Sequence, residues 1–310
     1  ASSEATSGGY KSGPRGQSVT TLTSIGAKGI QVDNLQVVSP DSAGILSAEN
    51  GGFGVDMWHG TSMTEALHLL QALPPRIASR TLASLVRRLL LTSAEPPMGE
   101  GNGEQLAVSR LQRLSAMGDY AAALDLLSIM PRQGRGPGLL RMEAELRFLS
   151  GDHIAACSLV GDEVRRSSAE FWQKALVFCQ VLSGEPEKAE LGITMLREVG
   201  AEDEIFYHLA EVMIQGEAAE FNDFKAPTPL TLIMLAQAKT VISPANLSDM
   251  SPGALRMAAL NARLAAPIRL LATEGAARMR VFRDSALIKV YTTILAGIAT
   301  ADTAPDAELA

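Results

Sequence analysis

Apolar residues recur through the middle of this chain at the spacing of helices. Ala107, Leu111, Leu114 and Gly118 fall at i, i+4, i+7 and i+11, with Arg110, Gln112 and Arg113 on the opposite side, which predicts an amphipathic helix whose polar face meets solvent. Tyr120, Ala123, Leu124 and Leu127 predict its partner, which ends at Pro131. The pattern continues through Leu139, Met142, Leu146 and Leu149, then through Ile154, Cys157 and Val160. Phe171, Trp172, Ala175, Leu176, Phe178, Cys179 and Leu182 are apolar almost all round, which predicts a helix enclosed on several sides. Ile205, Phe206, Leu209, Val212 and Met213 carry the series onward.

A repeat underlies these helices. Glycine followed by an acid recurs at Gly118-Asp119, Gly151-Asp152, Gly184-Glu185 and Gly216-Glu217, in steps of 33, 33 and 32 residues, a period that belongs to stacked helix pairs. Alanine stands five residues after the first three glycines, at Ala123, Ala156 and Ala189. The glycine is expected to end one helix and the acid to cap the next, while the alanine lets the pair approach closely. Pro186 suits a first helical turn, where its missing N–H costs nothing.

On Gly118-Asp119-Tyr120 with Ala123 and Pro131, Gly151-Asp152 with Ala156, and Gly184-Glu185 with Ala189, about a third of the chain resembles the tetratricopeptide-repeat (TPR) class of α-solenoids. The repeats are degenerate, because the aromatic and the Leu-Gly pair of each first helix are largely absent. The resemblance implies an all-α fold, a right-handed stack of helix pairs with a concave surface, and a protein-binding or scaffolding role.

The flanks differ. Residues 1–17, rich in Ser and Gly, predict a disordered arm. Residues 18–60 are extended or β-type, with two short strands expected within 19–38 that would lie on the helices or on a partner. They end in an aromatic loop, Gly51-Gly52-Phe53-Gly54 followed by Val55, Met57 and Trp58. Two readings stand for it: Phe53 and Trp58 plug the apolar end of the first helix pair, or the loop is an exposed docking element. His59 beside them is a lone histidine, not an expected ligand.

Ser62-Met63-Thr64-Glu65 forms a capping box ahead of Leu67, Leu69, Leu70 and Leu73, and Pro74-Pro75 stops that helix. A second helix is expected over 78–93, and a connection over 95–103. The TPR-like repeats are assigned to 61–216, a second helical subdomain or divergent repeats to 217–299, and a flexible tail to 300–310. Residues 217–228 read as a break, followed by short helices at 230–241, 253–264, 267–279 and 284–298.

Composition narrows the function. With 46% hydrophobic and 20% charged residues the chain reads as a folded soluble protein, and only 5% aromatics favours helix over sheet. A net charge of −7 argues against nucleic acid as main partner. No apolar run is long enough to span a bilayer. The opening Ala1 with small polar residues fits a mature chain after signal-peptide removal, so a periplasmic or otherwise exported location is expected. Cys157 and Cys179 are expected to be two small buried thiols rather than a bridge.

Candidate chemistry is sparse. His59, His68, His153 and His208 lack metal-ligand spacing. The loop Gln133-Gly134-Arg135-Gly136-Pro137-Gly138 follows no strand and precedes no Gly-Lys-Ser/Thr, so it is not expected to cradle phosphate. Glu143 with Glu145, and Glu202 with Glu204, are expected on solvated helix faces.

No catalytic residue, cofactor or metal is therefore expected. The expectation is a non-enzymatic scaffold or adaptor that binds partner proteins through its solenoid surface and extended N-terminal segment, in a bacterial cell-envelope assembly. Phe53, Trp58, His59, Arg113 and Tyr120 are the expected contact residues. The alternative implied by the resemblance is the accessory superhelical region of a murein-processing enzyme, without its catalytic domain.

Overall fold

The computed structural model describes residues 39–99, 101, 103–216, 218–220, 228–282 and 284–302. The arm, the two expected strands within 19–38 and the tail beyond 302 lie outside the described residues. Thirteen α-helices make up nearly all the regular structure that is described, so the fold is all-α. Among the described residues no helix is long and apolar enough to cross a membrane.

The first two helices, α1 (Met63–Ala72) and α2 (Arg80–Leu91), start where their caps dictate. Ser62 Oγ accepts from the Glu65 N–H and the Glu65 carboxylate accepts from the Ser62 N–H, which satisfies two otherwise orphaned donors. Four helices follow: α3 (Gln105–Ala116), α4 (Tyr120–Ser128), α5 (Pro137–Ser150) and α6 (His153–Glu163). Then come α7 (Glu170–Leu182), α8 (Pro186–Glu198) and α9 (Glu204–Gln215).

The repeat is visible in the backbone. Gly118, Gly151, Gly184 and Gly216 all adopt left-handed φ, between +70° and +88°, which glycine does without a Cβ penalty. Asp119 and Asp152 then cap α4 and α6, accepting from the N–H groups of Ala122 and Ala155. Ala123, Ala156 and Ala189 are fully buried where paired helices meet. From α2 onward each helix packs on the next, α1 packs on α3, and α3 also packs on α5, as α7 does on α9. This is a helical-repeat arrangement. Between α7 and α8 the approach is close enough that a Cβ on Gly192 would lie 2.6 Å from Val177 Cγ2.

Two expectations need correction. Arg110 does not face solvent: it is 1% exposed, because residues 39–46 lie across that side of α3. Its Nε donates to the Leu90 carbonyl (2.7 Å), Nη1 to Ala43 (2.7 Å) and Nη2 to Thr92 (2.9 Å). Asp41 completes the clamp by accepting from the Ala107 N–H at 2.8 Å. Burial pulls the Arg110 pKa down to about 10, which leaves it charged at neutral pH. The cysteines are not two thiols either. Cys157 on α6 and Cys179 on α7 form a disulfide, with Cα atoms 5.7 Å apart. Helices α6 and α7 pack on each other, which brings the sulfurs within bonding reach.

After Gly216 the helix-pair pattern stops. Strand β1 (Ala218–Glu220) pairs in parallel with β2 (Lys239–Val241), and α10 (Pro229–Gln237) runs between them. Helix α10 is apolar on most sides and packs on both α9 and α5, joining Leu230, Ile233, Met234 and Leu235 to the core of the repeat region. The chain then doubles back. Helix α11 (Pro252–Leu260) rests on α10 and α3, while α12 (Ala266–Arg278) and α13 (Asp284–Asp302) build a second core around Leu255, Ala272, Ala276, Phe282 and Ile294.

Candidate functional site

A groove runs along one face of α3 and α5. Helix α3 contributes Gln105, Val108, Ser109, Gln112, Arg113 and Ala116, and these offsets of 3, 4, 7, 8 and 11 residues form one helical stripe. Helix α5 contributes Pro137, Gly138, Arg141, Met142, Glu145 and Leu149. At one end Leu67 and Gln71 of α1 form the wall, enclosing a hollow of about 380 Å³. At the other end Pro229 and Leu232 of α10, with Ser251 and Gly253 at the start of α11, enclose about 400 Å³. The two hollows meet at Gln112.

The glycine loop before α5 sets the groove's geometry. The Gly136 and Gly138 N–H groups donate to the Glu104 carboxylate at 2.8 and 3.1 Å. Helix N-termini attract anions, and here the anion is an internal carboxylate that ties the start of α5 to the start of α3. Arg135 reinforces the same turn by donating from Nη2 to the Leu127 and Met130 carbonyls and pairing with Glu143.

Charge in the groove is mixed. Arg113 donates from Nη1 to the Leu73 carbonyl at 2.9 Å, which fixes it against the end of α1. Arg141 pairs with Glu145 at 2.9 Å and lies over the Phe171 ring, 4.6 Å from its centre. Glu145 is buried, contrary to the solvated face expected for it, because α5 is covered on that side by α10. Burial holds its carboxyl above the usual carboxylate range, with Arg141 opposing that rise. Glu202 and Glu204 are exposed, as expected.

The residues singled out from sequence separate into two groups. Arg113 and Tyr120 line the same end of the groove, Tyr120 as a buried phenol whose pKa burial raises. Phe53, Trp58 and His59 do not line it. Trp58 is 8% exposed and belongs to the main core. The Phe53 ring lies under the Arg88 guanidinium at 5.0 Å, and its N–H donates to Thr92 Oγ1. His59 is exposed.

Gln71, Gln105 and Gln112 were not singled out, and all three are exposed groove-lining carboxamides. The available signal was uncharged polarity at Gln105 and Gln112, seven residues apart on one helix face. Among the described residues no three His, Cys, Asp or Glu side chains gather as a metal site. Compared with known proteins, the chain matches no protein-family model, no curated protein and no solved structure.

Proposed function

We propose that this protein is a non-enzymatic scaffold, a right-handed TPR-like α-solenoid whose α3–α5 groove holds an extended segment of a partner protein in a bacterial cell-envelope assembly. The observation that carries this reading is the carboxamide lining of Gln71, Gln105 and Gln112 beside apolar Leu67, Val108 and Met142. A carboxamide both donates and accepts, so it can pair with the main chain of a peptide whatever its side chains. From Gln105 to Ala116 helix α3 runs about 16 Å, the length of roughly five residues of extended chain. Helices α10 and α11 close one end, which favours a short segment over a long helix.

The Cys157–Cys179 disulfide supports an exported location, since such bridges persist in oxidising compartments. The test is a photo-crosslinking amino acid at Gln112 in the native cell, with exposed Thr81 at the start of α2 as control. A single partner segment should crosslink at Gln112, and Gln105→Ala with Gln112→Ala should weaken its binding by at least about tenfold without changing helix content. Equal labelling at Thr81 and Gln112 would discard the groove.

A further inference from the structure

Helix α8 carries a second feature, unrelated to the groove. Its inward face is buried through Ala189, Ile193 and Leu196. Its outward face places Lys188, Leu191, Met195 and Glu198 at alternating steps of three and four residues, the seam spacing of paired helices. Leu191 and Met195 are 61% and 58% exposed, and Val199 beside them is exposed as well. The Lys188 side chain is 64% exposed and touches Glu185, at the N-cap of the same helix, at 2.8 Å, a contact weak enough to exchange.

The order along this seam is positive, apolar, apolar, negative, and that order fixes what fits it. A parallel copy would set Lys188 against Lys188 and Glu198 against Glu198. An antiparallel copy centred beside Ile193 sets Leu191 against Met195 of the partner subunit and Lys188 against Glu198 of the partner subunit, twice over by symmetry. Such an isologous contact is complementary to itself in both shape class and charge. We infer that α8 is a self-association surface, on which two copies of this chain pair antiparallel through Leu191 and Met195, flanked by Lys188–Glu198 ion pairs.

One helix of 13 residues spans about 20 Å, so the interface lies at the small end of specific contacts and the dimer is weak and concentration-dependent. Sedimentation equilibrium from well below to well above the dissociation constant reads it directly. The wild-type chain should pass from monomer to dimer with rising concentration, and Leu191→Asp should keep it monomeric with an unchanged melting temperature, because the position is exposed. Lys188→Glu and Glu198→Lys alone should each weaken association by about tenfold, and the two together should restore it to within about threefold of wild type. Glu185→Gln should leave it unchanged. A chain that stays monomeric throughout, a dimer indifferent to Leu191→Asp, or a double charge swap no stronger than the single ones would each overturn the assignment.

Discussion

The guanidinium carbon of Arg256 stands 5.4 Å from the centre of the Tyr120 ring, which ties α11 to the first residue of α4. The Phe282 ring lies 4.8 Å from the same guanidinium carbon, and Nη1 donates to the Val281 carbonyl at 3.3 Å. Arginine keeps its proton in proteins and burial raises the Tyr120 pKa, so the pair meets as cation and neutral phenol at pH 7. This is where the returning helices grip the repeat region. Replacing Arg256 with Met keeps the length of the side chain but removes both ring contacts. About 2 kcal/mol of stability should be lost. Hydrogen exchange should accelerate in α11 to α13 and stay unchanged in α6 to α8; uniform acceleration would show that the two regions open together.

The same junction distinguishes two glycines that look alike in sequence. Gly151 has φ +88° and open space around it, so Gly151→Ala should cost only the left-handed backbone term, about 1 kcal/mol. Gly118 has φ +78°, and a Cβ there would lie 2.6 Å from Val281 Cγ1. Because Val281 is itself buried, Gly118→Ala should cost about 2 to 4 kcal/mol, the overpacking penalty being added to the backbone one. Urea unfolding of both variants gives the comparison. Equal losses would mean that α11 to α13 move aside freely.

What the sequence made legible was local chemistry. The glycine-acid steps foretold left-handed C-caps and Asp N-caps, because both depend on residues within one turn of each other. Arg110 was illegible because what covers it, residues 39–46, comes from more than sixty positions earlier. The groove was half legible. Arg113 and Tyr120 line it, yet Gln105 and Gln112 lie on a polar stripe that looks the same whether it faces bulk water or a cleft walled by α1 and α10. Likewise, the apolar run of α10 says that it is buried, but not that it is buried against α5.

Glu143 governs part of the acid response. Burial alone would raise its carboxyl pKa, but hydrogen bonds and charge from Arg147 and Arg135 hold it below the usual value of 4.5. A carboxylate depressed in the folded state contributes stability above its unfolded pKa and loses it as pH falls through the folded value. Glu143→Gln should therefore be about 1 to 2 kcal/mol less stable than wild type at pH 7, Arg135 and Arg147 being left without their shared partner. That difference should shrink as pH drops below 4.5. A gap of constant size down to pH 3, measured by denaturation at each pH, would place the depressed titration on another group.

The Cys157–Cys179 bridge closes a loop of 22 residues between α6 and α7. Constraining the unfolded chain by a loop of that size stabilises the folded state by about 3 kcal/mol, so the double variant Cys157→Ala with Cys179→Ala should lose roughly that amount. Because α6 and α7 also pack on each other, with Val160 and Phe178 buried in the core, the variant should still fold, with faster hydrogen exchange concentrated in α6 and α7. Protein denatured without reductant should titrate no thiols, and it should gain two after reduction. Two thiols in the unreduced protein, purified from an oxidising compartment, would remove both the bridge and the support it lends to an exported location.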